Sequence, residues 1–295
     1  MMSSRAGARA VLSLGRIYCD LVFRGLDAMP QLGREQFAAD FTLTPGGGAL
    51  ISAAHLAALG RPAALLARFG TDDLSGVLEK QFGGLDIDLR FLDRHDSAGP
   101  QLTVVMVGED DRAFLSRRAG HARPASFEAA IAWPEAAHLH IAEYATLHEM
   151  RDAIAAARQA GLTVSLDPSW DEHLIADPLF FDHVAGADIF LPNLEEAKAL
   201  TGRASPEAAL ALLQRHFPVI ALKCGGDGAL LAMNGEVIEM AAPQVEVVDT
   251  TGAGDAFNAG FIHAWLDGHA PSDCLSAAIN AGSRSVQAPG GTGSL

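Results

Sequence analysis

Basic residues are in short supply: 21 lysines and arginines stand against 36 aspartates and glutamates, a formal charge of −15. Nucleic acid is held through a surplus of positive charge, so this balance excludes it as a partner. An anionic substrate would have to be met by a few local Arg, Lys or backbone N–H groups. Cysteine is scarce too. Cys19, Cys224 and Cys274 form no CxxC pair, and their odd number makes no disulfide framework, which fits a reducing, cytoplasmic setting. No apolar run approaches the roughly 20 residues of a membrane helix, so the chain reads as soluble, with no membrane partner. The first ten residues, MMSSRAGARA, lack the apolar core of a signal peptide; they read as a frayed start, with Val11 opening the fold. Internal repeats, low-complexity tracts and long linkers are missing as well.

What is present is a large apolar fraction, 49% of residues, enough for a substantial core and too much for a disordered chain. From Ala137 onward, strand-like and helix-like segments alternate: HLHIA, MRDAIAAARQAG, LTVSLD, ADIFLP, EEAKALTG, PVIALK. Such alternation predicts βαβ units and a mostly parallel sheet covered on both faces. Upstream, GGGALISAAHLAALG reads as a helix stopped by Gly60, AALLARFG (63–70) as a buried strand, and DLSGVLEKQFGG as an amphipathic helix. The segments QLTVVMV and RAFLS flank a GEDD turn at 108–111 and read as a hairpin. The prediction is a three-layer α/β core formed as one domain over 1–295. Two patches at about 16–44 and 97–121 do not fit βαβ and are expected to form a small β-sheet beside it.

The stretch DTTGAGDAFNAGF (249–261) carries the chemistry. A helix N-terminus presents unpaired N–H groups and about half a positive charge. With Gly252, Ala253 and Gly254 there, no bulky side chain keeps an anion from the backbone. Asp255, in the first turn, can accept a proton from an attacking hydroxyl while those N–H groups neutralise a phosphoryl group, which is what phosphoryl transfer demands. The helix dipole is expected to depress the pKa of Asp255, leaving a weak but well-placed base.

DTTGAGDAF resembles the C-terminal signature of the ribokinase-type (ribokinase/fructokinase) carbohydrate kinase family. The resemblance continues, in the family's order, through PGG at 45–47, FGTDDLSG at 69–76, NLEEAKALTG at 193–202 and KCGGDGALL at 223–231. No GxxxxGK[ST] occurs, so the phosphate site would be the family's own. The resemblance implies a ribokinase-like fold whose small sheet acts as a lid. It implies Asp255 as catalytic base, Gly252, Ala253 and Gly254 as anion hole, and Asp249 with Thr251 and backbone from 286–291 as a monovalent-cation (K⁺) site. Asn193 and Glu196 match the NxxE motif that organises Mg²⁺, largely through water; as residues they also read as a helix capping box. Lys223, Gly225 and Gly228 fall where the family lines nucleotide phosphates, although a plain hairpin turn gives the same pattern. In the helix that closes over adenine the family's usual Asn aligns with Ile279, and Asn280 stands one residue, about 100°, further round.

For the acceptor, the resemblance points to Asp20, Gly46, Gly47 and Glu143. The family's sugar-binding Asn aligns with Ile51, which cannot bond a hydroxyl. Arg117 and Arg118 suit a carboxylate or phosphate, or are simply exposed strand-end residues. His138 and His140 share a strand face but have no third ligand at suitable spacing, and read as packed or surface histidines. The expected function is ATP- and Mg²⁺-dependent phosphorylation of a hydroxymethyl group on a small sugar or sugar acid, by a homodimer joined through the lid. The alternatives are a nucleoside kinase on the same fold, with Phe41, Phe114 and Tyr144 as walls for a base, and an inactive sugar-binding regulator.

Overall fold

The computed structural model describes residues 9–108 and 112–295. The first eight residues and three residues of the GEDD turn lie outside it. The elements run β1 (Ala10–Leu14), β2 (Tyr18–Arg24), β3 (Asp40–Gly46), α1 (Gly48–Ala58), β4 (Ala63–Leu66), β5 (Arg68–Phe69), α2 (Asp73–Phe82), β6 (Asp93–Arg94), β7 (Leu102–Val107) and β8 (Arg112–Arg117). Then come α3 (Phe127–Ile131), β9 (Ala136–Ile141), α4 (Tyr144–Glu149), α5 (Ala153–Gln159), β10 (Thr163–Leu166), α6 (Phe180–His183), β11 (Ile189–Phe190) and α7 (Leu194–Thr201). The last are α8 (Pro206–Leu213), β12 (Val219–Lys223), β13 (Ala229–Met233), β14 (Glu236–Met240), α9 (Ala253–Leu266) and α10 (Pro271–Ser285).

The main sheet has the order β14-β13-β12-β11-β10-β9-β1-β4. It is parallel from β4 to β12, and β13 and β14 are added antiparallel at one edge. Alternation along each strand feeds two cores, as it must in a sheet covered on both faces. In β1, Leu12 and Leu14 pack with Phe127, Tyr144 and Phe180 on one face. Val11 packs with Leu50, Phe257, Phe261 and Leu275 of α1, α9 and α10 on the other. The stretch 63–70, expected as one strand, is two. It breaks at Ala67, and β5 pairs with β6 instead of continuing the main sheet.

The two patches that break the βαβ rhythm supply a four-stranded sheet of order β3-β2-β7-β8. β7 and β8 pair antiparallel as the hairpin reading requires, and β2 joins β7 in parallel. This small sheet stands over the C-terminal edge of the main one, where Gly15, Ala142, Asp167, Asn193 and Lys223 all fall just past or at strand ends. In open α/β sheets ligands bind at that edge.

Candidate active site

Helix α9 begins because Gly252 takes a left-handed conformation (φ 74°) and turns the chain into its first turn. A Cβ there would lie 2.6 Å from the Cα of Gly291 and 3.1 Å from Ile51, so the loop packs too closely at Gly252 for any side chain. This answers the Ile51 question: the residue is buried beneath the loop and braces it against Gly291. Of the three expected anion-hole amides, that of Ala253 donates to the Thr250 carbonyl at a long 3.3 Å.

Asp255 occupies the first turn of α9 and faces a cavity of about 650 Å³ between the main sheet and the small one. Gly48, at the start of α1, makes room for it, since a Cβ at Gly48 would come within 2.8 Å of Asp255 Oδ1. The expectation that the helix dipole would depress its pKa is overturned. Burial, reinforced by the charges of Asp167 and Asp20 and opposed by Lys223, raises it to about 7. Desolvation outweighs the dipole because few water molecules remain to solvate the anion.

Behind Asp255 lies a network that the sequence reading did not include. Asp167, at the end of β10, accepts through Oδ2 from Lys223 Nζ at 2.6 Å and from Asn258 Nδ2 at 2.6 Å; Lys223 also donates to Asn258 Oδ1 at 3.3 Å. Burial works against the Lys223 ammonium, but Asp167, Glu196 and Asp255 outweigh it and hold the group charged. A Cβ at Gly254 would lie 3.4 Å from Lys223 Nζ, so this cation sits directly beneath the glycine loop. Asn193 and Glu196 form the capping box of α7: Asn193 Oδ1 accepts from the Glu196 amide at 2.9 Å and Glu196 Oε2 from the Asn193 amide at 2.7 Å. Both also line the cavity, and burial with the Asp167 charge raises Glu196 to about 7.

Asp20 lines the same cavity, its pKa raised to about 7 by burial. A side chain at Gly46 would collide with its carboxylate, and one at Gly47 (φ 99°) with the Arg16 carbonyl. Glu143 reaches the cavity wall and accepts from Thr146 Oγ1 at 2.5 Å and the Arg16 amide at 3.4 Å. Asp249 Oδ1 takes the amide and hydroxyl of Thr251, at 2.9 and 2.7 Å, and Oδ2 the Gly290 amide at 3.0 Å. Burial would raise its pKa, but these bonds and Arg112 outweigh burial and lower it. Arg24 and Arg112, from the small sheet, each stand 3.7 Å from that carboxylate.

The inner face of the small sheet shows every second residue to the cavity: Tyr18, Asp20, Val22 and Arg24 from β2, then Arg112, Phe114, Ser116 and Arg118 from β8 and just beyond it. Arg118 is held by Asp171 at 2.6 Å and the Tyr18 hydroxyl at 3.3 Å. Of the expected aromatic walls only Phe114 belongs to this cavity. Phe41 projects from the other face of the small sheet, and Tyr144 is buried among core residues. His138 and His140 are likewise packed, bonded to Thr163, Ser165 and Ser52.

A second groove, of about 310 Å³, runs from Lys223 and Gly254 along Gly225, Gly228, Pro243, Val245, Phe257, Ile279 and Gly282. It is mostly apolar at its far end and meets the polar cavity at Lys223, Thr250 and Gly254. Asn280 is not part of it. The residue is exposed on the neighbouring face of α10, bonded to Ser276, and Ile279 faces the groove in its place. The one-residue offset on the helix accounts for this correction.

A polar cavity and an apolar groove that meet over a helix N-terminus beside a half-buried carboxylate form an arrangement suited to phosphoryl transfer. Residues 10–295 match the model of the pfkB family of carbohydrate kinases, and the chain belongs to that family. It is 31% identical to a 2-dehydro-3-deoxygluconokinase of Bacillus subtilis, over 81% of this chain and 79% of the relative. It is 28% identical to an ATP-dependent ribose-1-phosphate kinase of Halopiger xanaduensis, over 87% and 84%. Its fold superposes on ribokinase of Arabidopsis thaliana, solved with ribose and ATP, with a TM-score of 0.86 at 24% identity, covering 98% and 96% of the two chains. The protein is thus a carbohydrate kinase of the pfkB family with a ribokinase-like fold.

Proposed function

We propose that the chain transfers the γ-phosphoryl group of ATP to a hydroxymethyl group of a small sugar that carries a carboxylate or phosphate. The observation that supports this most is the facing of two sets of groups across the 650 Å³ cavity: Asp255 and Glu143 on the side of the main sheet, and Arg24, Arg112 and Arg118, with Asp20 beside them, on the small sheet. Carboxylates take sugar hydroxyls as donors. Guanidinium groups take a planar or tetrahedral anion, and in a chain of charge −15 their gathering on one wall favours an acidic acceptor. The two relatives above are named for a sugar acid and a sugar phosphate.

In this reading the acceptor hydroxyl lies against Asp255, whose carboxylate removes its proton as the bond to phosphorus forms. Adenosine occupies the apolar groove between Ile279 and Val245. Its phosphates run past Gly225 and Gly228 to Lys223 and the backbone of Gly252, Ala253 and Gly254, where fixed positive charge meets the charge that develops on the phosphoryl group. Glu196 and Asn193, with the oxygens of Asp167 nearby, would hold a hydrated Mg²⁺, a hard cation that keeps most of its waters and would supply positive charge beside the nucleotide phosphates. The small sheet serves as a lid that excludes competing water. K⁺ fits less well. Both oxygens of Asp249 already accept hydrogen bonds, and Arg24 and Arg112 supply positive charge at the place where K⁺ is expected. The outer face of the lid, with Phe41 and Leu115 half or more exposed, is proposed to join two copies as a homodimer.

The test is ATP consumption with Mg²⁺ against neutral sugars, sugar acids, sugar phosphates and nucleosides, with Asp255→Asn as control. Turnover on one anionic sugar, lost in the control and weakened in Arg24→Ala, is expected. Turnover confined to nucleosides would instead assign Phe114 and Trp170 to a base, and binding without turnover would make the chain a regulator.

A further inference from the structure

On the far side of α4 from the cavity, His148, Asp177 and His183 each turn one ligand atom toward a common point, all within 4.8 Å of one another. His148 stands in the last turn of α4, His183 ends α6, and Asp177 closes the loop between β10 and α6. Asp177 Oδ2 is 3.3 Å from His183 Nδ1 and 3.8 Å from His148 Nε2. Tetrahedral ligands at zinc-like bond lengths of about 2.0–2.1 Å stand roughly 3.3 Å apart; the Asp177–His183 pair already has that spacing, and closure requires His148 to move inward. Asp177 is also oriented from outside, because its Oδ1 accepts the Leu179 amide at 2.9 Å and leaves Oδ2 to the cluster. The Tyr144 hydroxyl completes the group, donating to Asp177 Oδ2 at 2.7 Å and lying 2.7 Å from His183 Nδ1. One exposed neighbour competes: Arg151 Nη2 lies 3.3 Å from His148 Nε2 and must swing aside. Among the described residues this is the one such cluster of three metal-ligating side chains.

We propose that His148, Asp177 and His183 form a Zn²⁺ site, with Tyr144 Oη or a water as fourth ligand. Two imidazoles and a carboxylate suit Zn²⁺ and disfavour Mg²⁺, which prefers an all-oxygen shell. The site lies outside the cavity that Asp255 faces. Its effect is mechanical. The bound ion ties α4 and α6 to the end of the 167–177 segment, whose other end carries Asp167, Trp170 on the cavity wall and Asp171 against Arg118.

Equilibrium dialysis of the full chain against micromolar Zn²⁺, with millimolar Mg²⁺ filling the carboxylates of the active site, tests it. The expected result is about one Zn²⁺ per chain, lost in His148→Gln, Asp177→Asn and His183→Gln and kept in Asp255→Asn. Co²⁺ in place of Zn²⁺ should give the intense visible bands of tetrahedral coordination. His148 is one-third exposed, so its variant serves if the other two fail to fold. Absence of a bound equivalent, or one that survives in His148→Gln, overturns the site.

Discussion

Asp255 carries the sharpest prediction. With its pKa near 7, kcat/KM should rise with pH through about 7 as the carboxylate forms, and level off above. Asp255→Asn should lower kcat by roughly 10²–10⁴, the usual contribution of a general base. The same shift acts on stability. A carboxyl raised from 3.8 to about 7 on folding contributes stability that is complete below about 3.8 and lost as pH rises through about 7. Asp255→Asn should therefore melt above the wild type at pH 8 and close to it at pH 4, as thermal denaturation of the ligand-free protein would show. Lys223 opposes the upward shift, so Lys223→Met should move the acid limb of the pH profile to higher pH as well as weaken ATP binding. An unmoved limb would detach Lys223 from the base.

At the scale of elements, α10 separates two readings of one helix. Asn280→Ala should leave KM for ATP unchanged, because the side chain is outside the groove, whereas Ile279→Asp should raise it about tenfold or more, a loss on the order of 1.4 kcal/mol. Steady-state kinetics at varied ATP decides. At the β3–α1 junction, Gly46→Ala should weaken acceptor binding more than ATP binding, since the new methyl displaces Asp20. These elements also show where sequence reading succeeds. DTTGAGDAF was legible as a candidate because the proposed anion hole and base are contiguous, built by one turn of one helix. The parallel sheet was legible from the alternation after Ala137. Asp167 was not, because its partners Lys223 and Asn258 lie 56 and 91 residues away and meet it only through the order of strands. Arg24 and Arg112 were missed for a related reason. Which face of a short strand looks inward depends on its pairing register, and one residue's slip reverses it.

For the whole molecule, the facing of an acidic main-sheet edge and an arginine-bearing small sheet sets how the protein responds to its medium. Binding of an anionic acceptor at half-exposed guanidinium groups should weaken as salt rises, because screening shortens to about 8 Å at 0.15 M. KM for the acceptor should climb with ionic strength more steeply than kcat falls. A saturating nucleotide should raise the melting temperature, by about 2.7 kcal/mol of stabilisation at a hundredfold excess over Kd. The outer face of the small sheet should be covered in solution: Leu115→Asp should shift the sedimentation profile from dimer to monomer, and a monomeric wild type would remove the dimer from the picture.

The alternation along β2 and β8 has a consequence for descent as well as for binding. Cavity-facing side chains occupy every second position of short strands, while Asp255, Lys223 and the glycine loop sit on the main sheet and α9. A lineage can exchange the former without disturbing the latter. What such a kinase phosphorylates is thus free to drift over generations while the way it phosphorylates is inherited intact.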